Sequence, residues 1–365
     1  MKTGIIGLPQ SGKTSLYNAL TRSQVNLATY GTNEVNTGVI PVPDERFEYA
    51  VKQCSPKKIT PATIEVTEGG ARIERTPEGG RRDKFGADFF ANVRNMDALV
   101  LVVAAFDSPL ATGTQVDPYR DANQVLEELL LADLTVVEGR IERLDKARLQ
   151  KRQTPGEAAE QQVLQRIREH LEKLQPVRTL ELSEEEQRSI RSYAFVSGKP
   201  LIIAVNVAED AAPEDVAAVT SEISAFCHEQ HIQMITLSAR VEMEVAQMEP
   251  DDEREFLAAM GITEAARDRL IRACYAALGV MSFFTVGEDE VRAWTIPNNA
   301  TALKAAETIH SDLARGFIRA EVIAFEDFRS AGGCWDEARS AGKMHLEGRE
   351  YLVKDGDILH VRFKV

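Results

Sequence analysis

Cysteine is scarce in this sequence. The chain has four cysteines and no C-x-x-C pair: Cys54, Cys227, Cys274 and Cys334. Thiols this few and this far apart favour reduced cysteines over disulfides or a zinc site. Long apolar runs are also missing, since none approaches the roughly 20 residues that a membrane span needs. Residues 1–3 lead directly into a strand pattern, which leaves no room for a signal peptide. These absences predict a cytoplasmic protein with no membrane partner.

Basic residues are outnumbered, with 43 lysines and arginines against 57 aspartates and glutamates. The net charge of -14 opposes a broad electrostatic grip on the phosphate backbone of nucleic acid. We therefore expect no strong binding of free nucleic acid, and any contact with RNA must come from a local patch or from partner proteins. Histidine is absent before His170, which bears on catalysis in the first part of the chain.

The remaining composition is that of a soluble globular protein, with 44% apolar and 27% charged residues. A chain of 365 residues is too long for one ordinary core, so two or three domains are expected.

A phosphate-binding pattern stands at the start of the chain. Residues 2–6 read as a short buried strand, residues 13–22 as a helix, and the loop between them has the form G-x-x-x-x-G-K-[ST]. Glycines let backbone N–H groups point at phosphate oxygens, and the helix start adds a partial positive charge. Lys13 is expected at the β- and γ-phosphates, and the Thr14 hydroxyl on Mg²⁺. The nucleotide-binding residues predicted here are Pro9, Gln10, Ser11, Gly12, Lys13, Thr14 and Ser15.

The rest of the chain shows three further kinds of pattern. Apolar runs at residues 97–106, 200–207 and 232–238 are typical of strands buried in a parallel sheet. Between the first two runs, apolar residues recur at steps of three and four on both sides of residues 153–156, which predicts two long amphipathic helices. Such an arm packs on itself or binds a partner, and packing is the more usual role. Short strand patterns around a helix at residues 301–314 predict a final α+β module.

The phosphate loop does not identify the base. In P-loop GTPases the base is read by an N-K-x-D segment after a later strand, where the aspartate accepts hydrogen bonds from guanine. Here the strand ends in Asn206-Val207-Ala208-Glu209, so Val207 replaces the lysine and Glu209 replaces the aspartate. Discrimination in favour of guanine therefore falls. Because Glu209 keeps a carboxylate, binding of GTP stays open.

Motifs along nearly the whole chain resemble those of the YchF/Obg-like ATPases, a branch of the Obg group of translation-factor GTPases. The matching segments are GLPQSGKTSLYNAL, NEVNTGVIPVPDERF, NVAED, VRAWTIP, GFIRAEVIAFEDF and YLVKDGDIL. The resemblance implies an α/β fold, in which a P-loop NTPase (G) domain carries an inserted α-helical coiled-coil arm and precedes a C-terminal α+β TGS domain of ubiquitin-like β-grasp type. The implied boundaries are 1–112 and 193–280 for the two parts of the G domain, 113–192 for the arm and 281–365 for the TGS domain.

The resemblance also implies a binding site and an activity. The residues that it places at the base are Asn206, Val207, Glu209, Ser238 and Ala239. Thr32 matches a switch threonine that approaches Mg²⁺, so Thr14 and Thr32 are the implied metal ligands. The implied activity is that of a nucleotide-dependent switch, which binds ATP, or GTP less well, with Mg²⁺ and slowly hydrolyses it. The implied partner is the ribosome, through its large subunit. Apart from the resemblance, we expect a monomer.

Two stretches depart from the family. Its second switch begins D-x-x-G, where this chain has Glu68-Gly69-Gly70-Ala71, so a longer carboxylate faces Mg²⁺ and Ala71 lacks the freedom of glycine. A histidine in the next family strand, associated with hydrolysis, is replaced by Leu101. Lys13 and Glu68 are therefore the expected catalytic residues.

These departures leave two interpretations open. The chain is either a slow ATPase or a nucleotide-binding adaptor that has lost hydrolysis. An arginine of the glycine-rich stretch could neutralise charge in phosphoryl transfer, although such arginines are mostly solvated: Arg72, Arg75, Arg81 and Arg82. Aromatic residues of the final module either stack on RNA bases or fill its core, and alternation with apolar neighbours favours the core: Trp294, Phe317, Phe325 and Phe328.

Overall fold

The computed structural model describes residues 1–23, 36–69, 72–75, 81–107 and 116–364. Contacts divide the chain into two compact units. The first unit comprises Met1–Gly38 and Glu65–Leu270, and the second comprises Val39–Ile64 and Ile271–Val365.

Strands and helices alternate along the described residues. The strands are β1 (Lys2–Ile6), β2 (Thr37–Pro41), β3 (Lys58–Thr60), β4 (Thr63–Glu68), β5 (Arg72–Arg75), β6 (Arg81–Lys84), β7 (Ala98–Ala105), β8 (Leu201–Val207), β9 (Gln233–Leu237), β10 (Val280–Thr285), β11 (Glu290–Pro297), β12 (Phe317–Ile323), β13 (His345–Glu347) and β14 (Ile358–Phe363). The helices are α1 (Lys13–Thr21), α2 (Glu45–Cys54), α3 (Ala87–Arg94), α4 (Pro118–Leu149), α5 (Pro155–Glu172), α6 (Glu184–Ile190), α7 (Pro213–Glu229), α8 (Ala239–Val245), α9 (Pro250–Ala259), α10 (Ala266–Ala277), α11 (Ala302–Ile309), α12 (Ser311–Arg315), α13 (Phe325–Ser330) and α14 (Trp335–Ser340).

One sheet has the order β2-β4-β1-β7-β8-β9, and its strands from β4 to β9 lie mostly in the first unit. Strands β4, β1, β7, β8 and β9 pair in parallel, and β7 and β8 are almost entirely buried. Burial on both faces explains why these strands are continuous apolar runs in the sequence, and it confirms the predicted parallel sheet. Because parallel strands end at one edge, the segments that follow β1, β4, β8 and β9 meet there.

The helical arm is formed by α4 and α5, of 32 and 18 residues. Its seam is a buried apolar cluster that includes Val137, Ile141, Leu144 and Ile167. Helix α5 begins with Thr154 as its N-cap in a reciprocal capping box and a proline in its first turn. The predicted pair of amphipathic helices is confirmed, and apolar packing explains its three- and four-residue spacing.

The second unit has a mixed sheet with the order β13-β12-β14-β10-β11-β3. Helix α11 packs against it in a core that contains Phe283, Phe317 and Val322. Phe325 and Phe328 are also buried, whereas Trp294 is half-buried against this core. The predicted α+β module is confirmed, and the core interpretation is confirmed for the three phenylalanines of the aromatic set.

Residues 39–64 belong to the second unit. There β3 pairs in parallel with β11, and helix α2 buries Phe47 with its ring centroid 6.0 Å from that of Phe284. The sequence indicated that these residues continue the nucleotide-binding domain, and the structure groups them instead with the C-terminal residues. The division of the chain at residues 112, 192 and 280 stays a prediction.

Two simpler expectations concern the cysteines and the membrane. The four cysteines are free thiols in the structure. Among the described helices, none is both long enough and apolar enough to cross a membrane.

Candidate nucleotide-binding site

The loop between β1 and α1 follows a path that only glycine permits at two points. Gly7 has φ 150°, and a Cβ there would lie 2.4 Å from the Val102 carbonyl oxygen. Gly12 has φ 95°, and a Cβ there would lie 2.0 Å from Nδ2 of Asn206. Both distances are far inside van der Waals contact, so the glycines are required by close approach as well as by dihedral angle. The resulting loop turns tightly onto the start of α1.

Two polar side chains of this loop are buried. Lys13 is 9% exposed, and its ammonium group donates a hydrogen bond to the Leu8 carbonyl oxygen at 2.6 Å. Ser11 is 3% exposed, and its hydroxyl finds no hydrogen-bond partner among the described residues. A buried hydroxyl without a partner is costly unless a ligand supplies one. The loop and the first residue of α1 therefore contribute a buried hydroxyl and a buried ammonium group, both of which are donors that suit an anion.

Asn206, at the end of β8, connects three segments of the site. Its Nδ2 donates to the Ser11 carbonyl oxygen at 3.0 Å, and its Oδ1 accepts from the Ala239 backbone N–H at 2.8 Å. The side chain is 5% exposed, so both bonds are shielded from water. Asn206 thus fixes the phosphate loop, the end of β8 and the start of α8 relative to one another, a role that the sequence did not predict.

The remaining base-site residues surround this connection. Glu209 lies with an Oε2 3.1 Å from Nε of Arg240, and the two side chains are 43% and 67% exposed. The hydroxyl of Ser238 is buried, without a partner in the described part of the chain. Val207 is half-buried and packs against the core of the first unit. The sequence did not predict Arg240 as a base-site residue, although its position directly after Ser238 and Ala239 would have indicated it.

A carboxylate lies beside the first turn of α1. The Thr14 hydroxyl donates to Oε1 of Glu68 at 2.5 Å, and Nδ2 of Asn36 donates to its Oε2 at 3.0 Å. Burial raises the pKa of the nearby Tyr17 phenol, and the negative charge of Glu68 raises it further. Asn36 was also missed, although it lies in the matching segment NEVNTGVIPVPDERF. The structure therefore brings Glu68 to Thr14, whereas Thr32 lies outside the described residues.

Other predicted site residues fall into three groups. Pro9, Gln10 and Ser15 lie half-buried in the phosphate loop and the first turn of α1. Leu101 is fully buried in the core of the first unit, opposite Ile6 and Ile203. The four arginines of the glycine-rich stretch belong to β5 and β6, which pair as an antiparallel hairpin. The structure does not describe their side chains, so a catalytic arginine stays a prediction.

A parallel sheet with a strand–loop–helix unit at its carboxyl edge, a buried lysine and a helix-start threonine beside a carboxylate define the class of P-loop nucleoside triphosphate-binding proteins. The phosphate loop and the base segments lie at the same edge of the sheet, as in other open α/β folds.

Comparison with known proteins narrows this class. The chain is 37% identical to the ribosome-binding ATPase YchF of Bacillus subtilis (strain 168), with 100% of both chains covered. It is 38% identical to the ribosome-binding ATPase YchF of Haemophilus influenzae (strain ATCC 51907 / DSM 11121 / KW20 / Rd), with 100% of this chain and 99% of the relative covered. The family model YchF-GTPase_C, described as a protein of unknown function (DUF933), matches residues 280–364. The chain belongs to the YchF family.

A solved structure supports the same assignment. The structure of the Schizosaccharomyces pombe YchF GTPase is similar to this chain with a TM-score of 0.82 and 29% sequence identity. The similarity covers 99% of this chain and 97% of that chain. The resemblance inferred from the motifs is thereby confirmed over the whole length.

Proposed function

We propose that this chain is a nucleotide-dependent switch that binds ATP with Mg²⁺, hydrolyses it slowly to ADP and phosphate, and associates with the ribosome. The observation that carries the proposal is the contact between Thr14 and Glu68 at the start of α1, because it brings a hydroxyl and a carboxylate together where a nucleotide-bound Mg²⁺ would lie. The relatives named as ribosome-binding ATPases support the ribosomal part.

The residues present fit a triphosphate and its metal ion. Lys13 would contact the β- and γ-phosphates, the loop N–H groups and the unpartnered Ser11 hydroxyl would contact phosphate oxygens, and Thr14 and Thr32 would hold Mg²⁺. When bound, Mg²⁺ neutralises charge on the β- and γ-phosphates. Glu68 would orient the water around that ion, because its carboxylate already reaches the Thr14 hydroxyl.

The base site supports a preference for ATP. Guanine needs a free carboxylate for its N1–H and N2 amino groups, and Glu209 is already engaged by Arg240. Adenine does not carry two hydrogen-bond donors at those positions, so the ion pair between Glu209 and Arg240 does not weaken its binding. Asn206, Val207, Ser238 and Ala239 complete the surroundings of the base.

Replacing Arg240 with alanine is expected to raise affinity for GTP relative to ATP, because the change frees the carboxylate of Glu209. The pair is exposed, so we expect a shift in the ratio of about twofold to fivefold. Competition of ATP and GTP for a fluorescent nucleotide measures this ratio.

The matched control for that experiment is Glu244→Ala. Glu244 is the second carboxylate that pairs with Arg240, at 3.4 Å, and it is not a predicted base residue. The control should leave the ratio unchanged. An Arg240→Ala protein with the wild-type ratio would show that this ion pair does not govern the choice of base.

Slow hydrolysis follows from what surrounds the phosphate loop. Lys13 would stabilise charge that develops in the transition state, and Glu68 would position the metal ion's water. Leu101, which the motif resemblance matches to the family's hydrolysis-associated histidine, is fully buried. An apolar side chain cannot orient the attacking water. This observation favours a second candidate function, that of an adaptor that binds nucleotide without hydrolysing it.

Single-turnover hydrolysis of γ-labelled ATP distinguishes the two functions. Phosphate release well above the rate in buffer, and absent from the Lys13→Ala protein, is the result expected of the slow ATPase. Tight ATP binding together with phosphate release at the rate in buffer would support the adaptor and contradict the slow ATPase. Co-sedimentation with ribosomes and with separated large subunits tests whether the chain binds the ribosome and which subunit it binds. A difference in co-sedimentation between ATP and ADP tests whether binding is switched by the nucleotide. Sedimentation of the free protein tests whether it is a monomer.

A further inference from the structure

The carboxylate of Glu68 is held at both of its oxygens. Oε1 accepts a hydrogen bond from the Thr14 hydroxyl at 2.5 Å, and Oε2 accepts one from Nδ2 of Asn36 at 3.0 Å. All three residues are half-buried, at the edge of the sheet where the phosphate loop lies. Because the two bonds reach different oxygens, they fix the rotation of the carboxylate as well as its position.

The backbone at Glu68 is fixed by other bonds. The Glu68 N–H donates to the Asn36 carbonyl oxygen at 2.9 Å, and the Gly69 N–H donates to the Ile5 carbonyl oxygen at 2.9 Å. Ile5 also lies opposite Glu68 in the parallel pairing of β1 with β4. The main chain therefore places the Cα of Glu68, whereas side-chain contacts decide where its carboxylate lies. An alanine at position 36 would keep the carbonyl bond and remove only the amide bond.

The length of the Glu68 side chain makes the amide bond important. Glutamate has one more methylene group than the aspartate of a D-x-x-G segment, so it has more rotamers, and ordering it costs more conformational entropy. A group that acts on a metal ion must be held within about 0.5 Å of its productive position. The bond from Asn36 removes this extra freedom before any ligand binds.

We propose that Asn36 is a positioning residue for the nucleotide-bound Mg²⁺, and that it acts through Glu68. This inference rests on the proposed function in one respect, since that function assigns the ion to Thr14. The Thr14 hydroxyl gives its hydrogen to Glu68, which leaves its lone pairs for the metal ion. The carboxylate keeps further lone pairs for water on that ion, and such outer partners govern metal affinity because they orient the groups that bind the metal.

The first test measures how much Mg²⁺ strengthens ATP binding, without any measurement of hydrolysis. The affinity of the full chain for a fluorescent ATP analogue is determined in excess Mg²⁺ and in excess chelator, and the ratio of the two affinities is the metal-dependent gain. Asn36→Ala should reduce this gain about tenfold, as expected for loss of an outer partner of a metal site. Its affinity in chelator should equal that of the wild type, because the phosphate loop is unchanged.

The matched control is Thr37→Ala, at the next residue along the chain. The Thr37 hydroxyl lies 3.3 Å from that of Thr67, so this bond joins the same two segments but involves no carboxylate. The control should keep the wild-type gain, and thermal unfolding verifies that both variants are folded. An Asn36→Ala protein with the wild-type gain would overturn the proposal. Equal losses in the two variants would also overturn it, because they would show a role in the sheet alone.

A double-mutant cycle tests whether Asn36 acts through Glu68. Glu68→Ala removes the acceptor, so adding Asn36→Ala to it should change the metal-dependent gain by less than about twofold. Losses that add in full would show that Asn36 affects the metal ion without Glu68, and the proposal would be wrong.

Single-turnover hydrolysis by the same proteins distinguishes failure of this inference from failure of the proposed function. If Asn36→Ala loses the metal-dependent gain but the wild type releases phosphate only at the rate in buffer, the slow ATPase is wrong and the inference stands. If the wild type hydrolyses ATP and Asn36→Ala keeps the full gain, the inference is wrong and the proposed function stands. A wild type whose ATP affinity does not depend on Mg²⁺ would overturn both.

Discussion

Replacing Lys13 with alanine is expected to abolish ATP binding, with a loss of affinity of about 100-fold or more. The ammonium group is buried at 9% exposure and bonds to the loop carbonyl of Leu8, so it is held at the place where the phosphates would lie. Removing it leaves the phosphate charge without its strongest protein partner in a poorly hydrated site. Isothermal titration calorimetry with ATP and Mg²⁺ measures the loss.

The control for this change is Lys52→Ala, which removes the same charge from an exposed position on α2. Its ATP affinity should equal that of the wild type. Thermal unfolding of both variants verifies that they are folded. Unchanged ATP affinity in folded Lys13→Ala would mean that the assigned site is wrong.

Replacing Asp133 with alanine is expected to lower the free energy of unfolding by about 3–5 kcal/mol. Asp133, on α4, is fully buried and accepts hydrogen bonds from the Val196 N–H at 2.9 Å and the Ser197 N–H at 2.8 Å. It also accepts the Ser197 hydroxyl at 2.6 Å. Alanine would leave these donors buried without a partner and would open a cavity. Urea denaturation followed by circular dichroism measures the change.

Asp145 supplies the comparison, since it also lies on α4 and accepts a side-chain hydrogen bond, from Gln161, but is 41% exposed. Asp145→Ala should cost less than about 1 kcal/mol, because water can replace what is lost. A similar small cost for Asp133→Ala would show that the segment before β8 does not depend on this carboxylate.

The parts of the fold that could be predicted from the sequence are those specified by local patterns. The phosphate loop depends on the spacing of Gly7, Gly12 and Lys13, and the arm depends on apolar residues three and four positions apart. The strands β7 and β8 are recognisable because burial on both faces leaves no polar alternation. In each case the pattern is periodic or motif-like along consecutive residues, which is the signal that a sequence carries for a helix or a strand.

The parts that could not be predicted depend on residues far apart in sequence. Arg240 meets Glu209 because the parallel strands β8 and β9 end at the same edge of the sheet, and Asn36 meets Glu68 because β2 begins beside the end of β4. Asn206 was expected at the base, yet its bonds to Ser11 and Ala239 became visible only in three dimensions. Burial of Asp133 follows no sequence pattern, since an aspartate on a helix is usually solvated.

The path of residues 39–64 has a consequence for the modularity of the chain. These residues leave the first unit after Gly38 and return at Glu65, so the excursion begins and ends beside Asn36 and Glu68. A chain truncated at residue 270 would keep helix α2 but lose Phe284 and the strands beside β3, which would expose Phe47 to water. Deleting the C-terminal residues would therefore remove the packing partners of residues 39–64 as well. The chain passes between the two units three times, after residues 38, 64 and 270, so no single cut separates their sequences.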